Sequence, residues 1–129
     1  MLRTIAYALG GLVLGFFLFV NLVNAPRRRE TDRTNRQNAE RVLPALEAYR
    51  RDHGRFPESL DALQPAYLKP VPACIGYPGD TSGKPFHYEV AEDGKSFSLG
   101  YPKAPYGMFP SDLEATFESG SRQWKTEER

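Results

Sequence analysis

Apolar and polar positions divide the chain into four unlike stretches. Residues 4–25 (TIAYALGGLVLGFFLFVNLVNA) hold no charged side chain and are mostly apolar. Residues 26–38 (PRRRETDRTNRQN) carry no apolar side chain after Pro26. From Asn38 to Pro72 the period is helical at first: Val42, Leu43, Leu46 and Tyr49 share one stripe, broadened by Ala39, Ala45 and Ala48. Glu40, Arg41, Glu47, Arg50 and Arg51 cover the other side. From Phe86 onward the period shortens to two. Phe86, Tyr88 and Val90 alternate with His87 and Glu89, and Phe97, Leu99 and Tyr101 alternate with Ser96, Ser98 and Gly100.

These patterns predict elements. The helix through Tyr49 closes at Gly54 after a basic last turn of Arg50, Arg51 and His53. Pro44 lies inside it and predicts one lost hydrogen bond and a kink. Phe56-Pro57 turns the chain, and Glu58 to Leu63 gives about one and a half further helical turns with Leu60 and Leu63 inward. Tyr67, Leu68 and Val71 are expected core contacts on an extended exit rich in proline. Residues 73–84 read as a loop. Glu92-Asp93-Gly94-Lys95 supplies hairpin chemistry between the first two strands. Leu113, Ala115 and Phe117 give a third strand, and Ser119-Gly120 turn into a fourth carrying Trp124. The charged tail KTEER is expected to fray. The fold class is α+β, a long helix packed on a small antiparallel sheet. One predicted core unites Leu46, Tyr49, Leu60, Phe86, Tyr88 and Leu99.

The first stretch sets the relation to a membrane. A helix over its 22 residues measures about 33 Å, enough for a hydrocarbon layer of about 30 Å. A signal peptide is the competing reading, since Val23-Asn24-Ala25 has the small residues of a cleavage site and Arg3 makes a minimal basic start. The apolar run exceeds the usual length of such a segment, and Pro26 would follow the scissile bond, which favours a retained anchor. Gly11 and Gly15 form a GxxxG pair through which two such helices approach closely. The charged residues 26–38 predict a solvated helical stem in which nothing is buried, with Arg27 to Arg29 near lipid head groups. The chain thus divides into an anchor (1–25), a stem (26–38) and a globular domain (39–129).

Charge and chemistry narrow the function. With 129 residues there is room for one small domain beside the anchor. A net charge of +1 gives no general pull toward nucleic acid. The single cysteine, Cys74, excludes an internal disulfide and reads as a small core residue. The two histidines are far apart, so no zinc site is expected. Gly79 to Pro85 (GDTSGKP) departs from a phosphate loop, having three residues between its glycines and Pro85 after the lysine. His87 falls on the polar side of its strand. Asp80, Asp93 and Asp112 sit on turns, where aspartate serves backbone geometry. No Ser or Cys stands in the context of an activated nucleophile. These observations predict a protein that is not an enzyme and takes no cofactor.

Ala45 to Leu63 (ALEAYRRDHGRFPESLDAL), Tyr67 to Pro72 (YLKPVP), Gly83 to Val90 (GKPFHYEV) and Asp93 to Tyr101 (DGKSFSLGY) resemble the soluble region of type IV pilin-like proteins, most closely the major pseudopilin of type II secretion systems. In that family the domain helix ends in Tyr-x-x-x-x-Gly-x-aromatic-Pro, met here by Tyr49, Gly54, Phe56 and Pro57. A Tyr-x-x-x-x-Pro segment, Tyr67 to Pro72, then leads into a Gly-x-Pro-aromatic-x-Tyr strand, Gly83 to Tyr88. The prepilin cleavage motif is missing: Gly15-Phe16 imitates its start, but Val20 stands where the family has Glu. The acidic calcium loop of the major pseudopilin has no counterpart either.

The resemblance implies a pilin-like fold and a structural or assembly role in a bacterial cell envelope or secretion apparatus. It also implies an inner-membrane anchor with the domain in the periplasm. The arginine count opposes that placement, because Arg27, Arg28, Arg29, Arg33, Arg36 and Arg41 outweigh Arg3. A second reading is a membrane-tethered, non-catalytic binding module. Its partner surface would be the proline-rich and aromatic loop Tyr101 to Pro110, with Tyr101, Tyr106, Met108 and Phe109 capturing a peptide or glycan.

Overall fold

The computed structural model describes residues 1–102 and 113–126. A single helix, α1 (Leu2–His53, 52 residues), runs from the apolar stretch through the charged one into the domain. Pro26 and Pro44 both lie inside it and end nothing. Each ring is exposed, so neither has to be fitted into the packed core. Gly54 closes α1 as its sequence context requires, with a left-handed φ of 79° and its N–H donated to the Arg50 carbonyl at 2.7 Å.

The second helical segment is shorter and tighter than its sequence suggests, a 3-10 turn over Leu60–Leu63 with Leu63 buried. Four strands follow: β1 (His87–Val90), β2 (Phe97–Pro102), β3 (Leu113–Glu118) and β4 (Gln123–Thr126). They form one antiparallel meander in the order β1-β2-β3-β4. Register places Tyr88 opposite Leu99, Leu99 opposite Phe117, and Phe117 opposite Trp124, one row of large side chains across all four strands. The β1–β2 hairpin turns on Gly94, whose φ is 68°. A side chain there would also lie 2.8 Å from Arg55 Cβ. The Gly94 carbonyl accepts the Phe56 N–H at 2.9 Å, which ties the exit of α1 to the hairpin.

The core lies between α1 and the sheet, which meet chiefly at β2. Val42 and Leu46 from the helix, Phe56 and Leu63 from the connection, Phe86 just before β1, and Phe97 and Leu99 from β2 are buried together. Of the six residues expected to share the core, Leu46, Phe86 and Leu99 are buried within it, while Tyr49, Leu60 and Tyr88 pack against it half-buried. Cys74 is fully buried, as a small core residue should be. Burial pushes its thiol up to about 12, so it stays protonated at neutral pH.

The stem departs from expectation. Thr31 and Asn35, each only 1% exposed, are buried although no apolar residue flanks them. The buried stripe of α1 reads Thr31, Asn35, Ala39, Val42 and Leu46, at steps of four, four, three and four. Its first two members are polar, but they hold the same helical face as the apolar ones. The folded domain therefore takes in part of the 26–38 segment and begins about two turns before Ala39.

Candidate functional site

The residues proposed from sequence separate in the structure. Tyr101 is not a surface anchor: it is 1% exposed, on β2 rather than in the following loop. Its position is the inward phase of the Phe97, Leu99, Tyr101 alternation, and Pro102 still belongs to the strand. The phenol donates to Asp32 Oδ1 at 2.7 Å and its ring packs on Trp124, 5.7 Å between centroids. Burial, reinforced by the Asp32 carboxylate, pushes its ionisation well above the ordinary range. Tyr106, Met108 and Phe109 lie outside the described residues. Gly11 and Gly15 are exposed on α1, and nothing stands within 4 Å of a side chain built on either.

What the structure does bring together is the stem of α1 and the loop 73–83. Asn35 takes both backbone groups of Ile75, donating to its carbonyl at 2.9 Å and accepting its N–H at 2.7 Å. Three residues on, Asn38 donates to the Ala73 carbonyl at 3.1 Å. The helix thus binds the loop as a neighbouring strand would, through side-chain amides in place of a backbone. Thr31 satisfies its own hydroxyl against the Arg27 carbonyl at 2.9 Å. On the sheet side, Asp32 holds Tyr101 while the Arg36 guanidinium lies 5.0 Å over the Trp124 ring.

The loop is stiffened from within. Cys74 and Lys84 exchange backbone hydrogen bonds of 2.8 and 2.9 Å across its base. Asp80 is buried at its centre. One carboxylate oxygen accepts the Ser82 hydroxyl at 2.6 Å and the Ser82 N–H at 2.9 Å, and the other accepts the Gly76 N–H at 2.8 Å. The Ser82 hydroxyl first, then these backbone donors, hold its ionisation below the usual carboxylate range. Gly83 closes the turn with φ 43°, and an added Cβ would sit 2.7 Å from that of Ala73. The segment that imitates a phosphate loop is therefore occupied in folding itself.

Between stem and loop, at the end of the domain nearest the apolar half of α1, lies a cleft of about 490 Å³. Asn24, Arg27, Arg28 and Thr31 line it from α1, and Gly76–Pro78 line it from the loop. The four helical positions follow i, i+3, i+4, i+7 and so form one face. From the sequence Arg27 and Arg28 belong to a basic flank near lipid head groups, with no cleft beside them. The signal passed over is that Thr31 and Asn35 prolong the stripe of Ala39 and Val42. Among the described residues no group of three or more His, Cys, Asp or Glu side chains is placed to hold a metal ion. No family model matches the chain, and neither the curated proteins nor the solved structures include a match.

Proposed function

We propose that this chain is a single-pass membrane protein with a pilin-like domain, serving a structural or assembly role in a bacterial envelope or secretion apparatus without catalysis of its own. The observation that carries the reading is the unbroken α1, whose first half is exposed on every side and whose second half is the wall of the domain core. Near the N-terminus it is long and apolar enough to span a bilayer, with none of that window buried. Left in water, Leu12, Phe16, Phe17 and Leu22 would each forgo about 1.5–3 kcal/mol of burial, so a lipid environment is favoured.

Contacts among the pilin-like motif residues support the domain's side of the reading. The Tyr88 phenol donates to the Pro57 carbonyl at 2.7 Å, and Tyr67 packs edge-on against Tyr49 at 5.5 Å. Phe56 and Phe86 are buried in the same core. The three motif segments, distant in sequence, thus converge where α1 ends.

In this account the domain lies on the periplasmic side, against the arginine count. Part of that count belongs to the fold, since Arg36 pairs with Glu40 at 3.5 Å and covers Trp124. Reporters fused to the C-terminus and active on one side only decide the orientation. Assembly is tested by single cysteines placed along residues 9–19 in native membranes, Gly11→Cys and Gly15→Cys included, while buried Cys74 stays silent. A crosslinked dimer is expected at the positions where neighbouring copies meet. Monomers at every position would remove the assembly role.

A further inference from the structure

We propose that the cleft between the stem and the 76–78 loop binds the phosphate of an anionic phospholipid, holding the domain down on the membrane surface. This rests on the reading of residues 4–25 as a membrane span. Arg27 follows Ala25, the last residue of the apolar stretch 4–25, by two positions, which is about 3 Å along the helix. The cleft therefore opens at the depth of the lipid phosphates.

Its chemistry suits that ligand. Arg27 and Arg28 are exposed, and among the described residues neither forms a salt bridge. Two guanidinium groups offer the paired donors that fit phosphate oxygens, and the Asn24 amide beside them adds another donor. Tyr77, 60% exposed although aromatic, forms the opposing lip, and an amphipathic ring at the bilayer surface has one end in lipid and one in water.

The wall is also built in advance. Ile75 is fixed by Asn35 and Gly76 by Asp80, so the backbone carrying Tyr77 is braced on its N-terminal side by two side chains. Binding then orders little beyond the two arginines. The Asp80 carboxylate, the nearest acid along the loop, is spent on its three donors and turned inward. A zwitterionic lipid brings no net charge and leaves both guanidinium charges of the cleft uncompensated, whereas an anionic lipid brings one negative charge to the pair.

The test uses the full-length protein reconstituted into vesicles of phosphatidylcholine alone or mixed with phosphatidylglycerol. Spin-labelled phosphatidylglycerol reports the immobilised fraction. Wild type is expected to retain the anionic lipid in preference to phosphatidylcholine. Arg27→Gln with Arg28→Gln should reduce that preference about thirtyfold, at about 1 kcal/mol for each arginine near the surface. Tyr77→Ala should reduce it less. Arg29→Gln with Arg33→Gln, removing equal charge from the opposite helix face, should leave most of it. Equal loss from both arginine pairs would mean diffuse surface charge and would overturn the site. So would wild-type incorporation without preference, which leaves the anchor standing. Failure to enter either kind of vesicle would overturn the anchor and the site together.

Discussion

The two halves of α1 invert the usual sorting of residues. In residues 4–25 most leucines, valines and phenylalanines stand exposed, while within the next ten residues Thr31 and Asn35 are buried. Secondary structure is the same in both halves, so the difference lies in what each half meets. The first half stays exposed apart from Val20 and Asn24, the latter lining the loop cleft. The second meets a sheet and a loop whose backbone groups at Ala73 and Ile75 require polar partners. Hydropathy alone marks where a helix needs lipid. It does not mark where a domain begins.

The comparison breaks most visibly at the apolar positions. Leu46→Ala, in the fully buried part of the stripe, should cost about 2–5 kcal/mol in urea unfolding of the detergent-solubilised protein. Leu12→Ala, equally apolar but exposed, should move the same transition by less than about 0.5 kcal/mol. Comparable losses from both would mean that the first half also supports the domain.

Next in size is the polar weld. Asn35→Ala removes one partner and strands both backbone groups of Ile75 in a part-buried site, an effect of about 1–3 kcal/mol. A null effect would make the stem an independent spacer. Tyr101→Phe keeps the ring on Trp124 and deletes only the bond to Asp32, for about 1 kcal/mol.

Much of this was legible in the sequence. The alternation of Phe97, Leu99 and Tyr101 and the Gly94 turn specify the hairpin, because a half-buried strand needs one apolar face and a tight turn needs a residue free to take positive φ. The stem was not legible as part of the domain. Burial of an amide becomes favourable only when a particular backbone segment comes to meet it, and that segment lies 40 residues away. Tyr101 was misplaced for a related reason: the prolines after it suggest a loop, but the strand continues to Pro102 and shifts register there. The cleft needed three dimensions, since Tyr77 and Arg28 are neighbours only because Asn35 draws the loop in.

The smallest effect is acid sensitivity of the loop. Asp80 ionises below its ordinary range in the folded chain, so its contribution is present above about pH 4, the unfolded carboxylate value, and is lost as pH falls below that. Asp80→Asn should lower the melting temperature at neutral pH and flatten this part of the acid limb. An unchanged acid limb would assign the loss to other carboxylates.

Hydrogen exchange of the full-length protein in lipid bears most directly on the claim that stem and domain are one folded unit. Amides from Thr31 to Asn38 should exchange together with those from Ala39 to Leu46, at rates set by unfolding of the domain. Exchange of residues 31–38 at the rate of an exposed, fraying helix, with protection beginning only at Ala39, would contradict it.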